Sequence, residues 1–147
     1  MGDFLYACIQ LIHNVGAAAV VGSPAVLWWL AHVNRVNVES DHSAAIWQVP
    51  NKLVWLTVVA WATQIASGAG FGATTYYLKH ALPELTGIGF AAIAIKVVCA
   101  LICLVIALLY LRNASRWSTL MQIRVWQTLF VLGLTALMSA AFLRWYG

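Results

Sequence analysis

The sequence predicts an all-α fold, a four-helix transmembrane bundle that runs up-down-up-down with both termini on the outer side. Three observations carry this. Four apolar stretches are each long enough to cross a bilayer, short polar breaks separate them, and the basic residues gather at alternate breaks. Charged residues make up only 8% of the chain and hydrophobic residues 63%, over 147 residues. A soluble domain carries about 25% charged residues. This chain lacks the polar surface to face water, so lipid is its solvent. Its length fits a single integral membrane domain, 1–147.

The first span is expected from Phe4 to Val33. The opening "MGDFLYAC" has an acid where a signal peptide has basic residues, and the run behind it is too long for a signal core, so it reads as a retained span. "MGDFLY" is a poor myristoylation match, with Tyr6 where Ser or Thr is wanted. Asn34 to Asn51 reads as the one long loop, with "VNVESDHSAAIWQVP" a short amphipathic piece on the inner surface and His42, beside Asp41, a solvated histidine. The second span is expected over Leu53 to Leu78, the third over Leu85 to Leu111 and the fourth over Val125 to Leu143. "KHALPE" and "RNASRWS" are the breaks between them.

Arg35, Lys52, Arg112, Arg116 and Arg124 fall at the first and third breaks, against Lys79 and Arg144 at the other end. The positive-inside rule then places both termini outside, in the periplasm if the membrane is a bacterial inner membrane. Trp28, Trp29, Trp47, Trp55, Trp117, Trp126 and Trp145 stand near span ends and read as an interfacial belt.

Several function classes drop out. The net charge is +4, but the basic residues sit between apolar runs and make no stripe for nucleic acid. No GxSxG, HExxH, P-loop or dinucleotide fingerprint is present. Cys8, Cys99 and Cys103 are odd in number and lie within apolar runs, which argues against a disulfide framework. Cys99 and Cys103, at i, i+4, could hold a soft metal, though a packing face is the simpler reading. Met1, Met121 and Met138 form no cluster for copper.

The polar residues inside the spans are the candidate site. His13 lies about 14 Å from the outer end of the first span and Lys96 about 17 Å from that of the third, at 1.5 Å per residue. Gly68, Gly70 and Gly72 of the second span, and Thr135 and Ser139 of the fourth, count to the same layer. Lys96 is the sharpest signal, since a charge at that depth costs at least about 2.5 kcal/mol. No Asp or Glu lies inside a span. Lys96 is then either neutral or paired with an anionic group that a ligand supplies: a haem propionate, a substrate carboxylate or a lipid headgroup.

His13 reads either as an imidazole bonded to a neighbouring carbonyl or as an axial haem ligand. Gly16 and Ala17, on its face, leave room for a flat macrocycle and equally for close helix packing. Gly68 and Gly72 form a GxxxG that suits helix approach or a cofactor resting there, with Gln64 on the same face. His32 and His80 stand near opposite surfaces, so His13 has no imidazole partner at its own depth, and the sixth iron position is left empty, filled by another side chain or filled from another subunit.

"LIHNVGAAAVVGSPAV", "WATQIASGAGFG" and "AIAIKVVCALICLVIALLYL" resemble the small four-helix membrane proteins of the CopD-like group, and through it the HemJ-type protoporphyrinogen oxidases. The resemblance covers most of the chain and rests on short motifs. It implies a haem-b-binding or copper-related bundle, with His13 and Lys96 as the residues carried over.

The leading expectation is a haem-b-binding membrane protein serving electron transfer, alone, as a homo-oligomer or as a small subunit of a redox complex. His13 ligates iron, Lys96 pairs with a propionate, and Gly68 and Gly72 admit the macrocycle. A lipid-binding accessory subunit and a copper-handling or transport protein are the alternatives. Whether the chain is an enzyme is left open.

Overall fold

In a computed structural model the chain is a four-helix bundle. The structure describes residues 2–36, 43–79 and 87–146. Helix α1 runs Gly2–Val36, α2 Ser43–Lys79, α3 Gly87–Asn113 and α4 Thr119–Tyr146, with a 3-10 turn, Ala114–Arg116, between the last two. Each helix is long and apolar enough to cross a membrane. Asp41, His42 and His80 lie outside the described residues. So do the side chains of Arg35, Trp47, Lys79, Arg144 and Trp145.

Two helix starts differ from expectation. Residues 43–51, expected in a loop, belong to α2, which continues through Pro50. Proline deletes one backbone hydrogen bond but does not end a helix whose neighbours re-satisfy it. Helix α4 begins six residues before Val125, at Thr119. Ser118 provides its start: the Met121 N–H donates to Ser118 Oγ at 3.3 Å and the Gln122 N–H to the Ser118 carbonyl at 3.1 Å.

Helix α1 packs on α2 and α4, and α3 on α2 and α4. The core is densest at the end where α1 finishes and α2 begins. Leu27, Val54, Thr57, Trp61, Tyr110 and Leu129 are all but completely buried there. Trp126, expected in the interfacial belt, is buried too, its ring centroid 5.9 Å from that of Tyr110. Trp28, Trp29 and Trp55 are exposed as the belt requires. Gln122 locks the α3–α4 turn: its Oε1 accepts from Tyr110 Oη at 3.0 Å, and its Nε2 donates to the carbonyls of Ala114 at 3.0 Å and Trp117 at 3.3 Å. The Ala114 carbonyl, which also accepts from the Trp117 N–H at 3.2 Å, and the Trp117 carbonyl thus gain a donor beyond the end of α3.

Two glycines set how closely helices approach. Pro24, buried inside α1, has no N–H to give the Val20 carbonyl four residues back. That released oxygen faces α4 at Gly133, where a Cβ would sit 3.2 Å away. At Gly16 a Cβ would stand 2.8 Å from Gln64 Nε2 and 3.5 Å from the Ala60 carbonyl oxygen. Gly68 and Gly72, by contrast, are exposed with nothing within 4 Å of a Cβ. The close approach expected of the GxxxG in α2 is made instead by glycines of α1 and α4.

Candidate functional site

The other end of the bundle is hollow. A cavity of about 1040 Å³ lies among the four helices there. That is at the upper end of ligand pockets, which span about 300–1,000 Å³. Trp61 forms its floor. The indole N–H of Trp61 is buried and meets no acceptor among the described residues. Tyr6 and Phe71 form an aromatic wall, ring centroids 5.2 Å apart at 61°. The small residues Ala17 on α1 and Gly133, Ala136 and Ala140 on α4 leave the volume open.

His13, Lys96 and Gln64, all singled out from sequence, meet at this cavity. His13 Nδ1 is 2.8 Å from Ser67 Oγ, and His13 Nε2 is 3.1 Å from Lys96 Nζ. Lys96 therefore reaches from α3 to α1 across the bundle interior. Gln64 donates from Nε2 to the backbone carbonyl of His13 itself. The ring is further held by Phe71, edge-on at 5.5 Å between centroids and 75° between planes. Helix α2 thus grips one residue of α1 three ways: at its carbonyl, at one ring nitrogen and at its ring edge.

The hydrogen bonds assign the tautomer. Ser67 Oγ–H has carbonyls of its own helix to donate to, Thr63 at 2.6 Å and Gln64 at 3.3 Å. With its one proton committed there, Ser67 oxygen accepts from His13 Nδ1–H. Nε2 is then the nitrogen with a free lone pair, and it accepts from the Lys96 ammonium. Ser67 was missed from sequence. Its spacing of three from Gln64, on the same helix face, is the signal that could have found it.

Other expectations for the layer are corrected. Thr135 donates to the Val131 carbonyl and Ser139 to the Thr135 carbonyl, each at 2.9 Å, and neither lines the cavity. Hydroxyls in helices commonly close onto the preceding turn, and these two do. Gly68 and Gly72 also stand off the cavity, and Gly16 packs against Gln64 rather than leaving space. His32 is exposed. Cys99 and Cys103 are free thiols buried in the apolar core, as a packing face would place them. Among the described residues no three His, Cys, Asp or Glu side chains gather to hold a metal ion.

The residues present fit a haem with one protein ligand. With Nδ1–H on Ser67, Nε2 is the nitrogen that would hold an iron, the walls are aromatic and apolar, and Lys96 would supply a counter-charge for an acidic group. Nε2 is engaged by Lys96, so ligation there requires the ammonium to turn away.

No protein-family model, no curated protein and no solved structure matches this chain.

Proposed function

We propose that the protein is a haem-b-binding membrane protein serving electron transfer, with the haem seated in the cavity. One observation carries the reading: an imidazole and an ammonium on different helices, 3.1 Å apart, at the wall of a large cavity between spans. Polar groups of this kind inside a membrane span are costly and mark a functional site. The resemblance of the first and third spans to CopD-like and HemJ-type proteins points the same way.

In this reading His13 Nε2 would hold the haem iron. Ser67, accepting from Nδ1–H, orients the ring and raises its basicity, as the outer partner of a ligating histidine does. Lys96 would turn from Nε2 to pair with a propionate, exchanging a neutral partner for an anionic one. Trp61, Tyr6 and Phe71 keep water from the macrocycle. The haem supplies a one-electron couple. The chain runs up-down-up-down across a bacterial inner membrane with both termini outside. The exposed Lys52, Arg112, Arg116 and Arg124 at the filled end support that orientation. The electron partner is another membrane redox subunit or a second copy of this chain.

The test is a reduced-minus-oxidised visible spectrum with a pyridine haemochrome assay on detergent-purified protein. The expected result is haem b near one per chain, lost in His13→Ala and weakened in Lys96→Met. A colourless protein from haem-replete cells would overturn the reading.

A further inference from the structure

The cavity is not closed on all sides. Its α1–α2 side is sealed by the Tyr6–Phe71 pair and by Gln64 and Ser67 on His13. Helices α3 and α4 pack against each other along the bundle, with Gly89 and Ala92 of α3 and Ser139 of α4 buried. Between α1 and α4 the helices touch at Val20 and Gly133, and past that point both walls of the cavity reach the surface. On α1 the exposed wall residues are Gln10 and Asn14, and on α4 Leu137 and Ala141. All four lie inside membrane-spanning segments.

Gln10 and Asn14 are out of place on a lipid-facing surface. Gln10 Nε2 donates to Asn14 Oδ1 at 3.0 Å, which pairs one donor with one acceptor. The amide N–H groups of Asn14 and the carbonyl of Gln10 are left over, and hydrocarbon offers them nothing. Among the residues lining the cavity Lys96 is the one Lys or Arg, and none is acidic. The cleft therefore joins lipid to an amine-bearing interior past a polar rim.

The geometry points to the α1–α4 cleft as a lateral portal through which a carboxylate-bearing amphiphile passes from the bilayer into the cavity. The amides of Gln10 and Asn14 hold its head on the way to Lys96. The inference rests on the cavity being a ligand site, as the proposed function holds, and adds the ligand's class and its route.

Photo-crosslinking tests it. The full chain in lipid nanodiscs is irradiated with a diazirine-bearing palmitate, and the labelled residues are mapped by mass spectrometry. The expected result is labelling concentrated on residues 10–17 and 137–141, and little labelling there by the methyl ester of the same probe. Lys96→Met should reduce it about tenfold, the factor for one charge-assisted hydrogen bond. Ala140→Trp should obstruct it, and Ala141→Trp serves if that variant does not fold. Val97→Trp, on the exposed face of α3, should leave it unchanged. Equal labelling by acid and ester, or labelling spread evenly over Val97, Val98 and Leu101, would overturn the portal. Cleft labelling in a colourless protein keeps the portal and discards the haem. Haem uptake from vesicles at an unchanged rate in Ala140→Trp keeps the haem and discards the portal.

Discussion

The two halves of the bundle are built from the same four helices and solve opposite problems. In the half holding Leu27, Val54, Tyr110, Trp126 and Leu129, large side chains interlock and Gln122 satisfies the backbone at the turn. In the half holding His13 and Lys96, alanines and glycine stand where large residues would close the space, and polar groups line what is left. The contrast teaches that stability and a site are separated along the membrane normal. One half holds the helices at fixed spacing, so the other can stay open.

Substitutions sharpen this contrast. The largest effect is expected from Trp126→Ala in the filled half, a loss of about 3–5 kcal/mol, as for other aromatic core truncations. Reversible unfolding in mixed micelles measures it. A loss no larger than that of a lipid-facing residue such as Leu108→Ala would break the contrast.

Gly133→Ala should cost about 1–3 kcal/mol by overpacking. Its Cβ would press on the Val20 carbonyl, which is backbone and cannot rotate aside. Gly68→Ala and Gly72→Ala, with open space around them, should leave the same unfolding curve where it is.

Lys96→Met should act in the opposite direction and raise stability by about 1 kcal/mol. Removing the ammonium recovers about 2.5 kcal/mol of the cost of a charge in the span and forfeits one charge-assisted hydrogen bond of about 1.5 kcal/mol. A stabilised variant that no longer takes ligand is the signature of a site held at the expense of stability. A clear destabilisation would make Lys96 a structural strut instead.

Ser67→Ala should be the mildest for stability, about 1 kcal/mol or less. Its effect is expected in the imidazole nitrogen NMR spectrum, where His13 moves from one Nδ1–H tautomer to a mixture. Retention of a single tautomer would show that Lys96 alone sets it.

How much of this was legible beforehand differs by residue. Lys96 and His13 stood out because a polar group in a long apolar run has no ordinary reason to be there. Gln64 stood out less, and Ser67 not at all, since a serine in a membrane helix usually closes onto its own backbone. The start of α4 is not legible from hydropathy because Arg124 reads as part of the break and the polar Gln122 before it is buried as a clamp. The GxxxG of α2 reads as a place for helix approach or for a cofactor because small residues four apart serve either. It faces outward, and the contact is made by Gly133, which has no such pattern around it.

The sequence by itself determined that the chain is helical, that four segments can span a membrane, and that His13 and Lys96 are anomalies at a common depth. These follow from composition, length and position, which are properties of the chain alone. Which face of each helix turns inward was decided only by the tertiary structure. In lipid the outward face is as apolar as the inward one, so no periodicity marks the core. The choice is made by shape and by a few hydrogen bonds. The oxygen freed by Pro24 meets Gly133, Gln64 and Ser67 hold His13, and Lys96 crosses to it. Those contacts exist only once four helices are side by side.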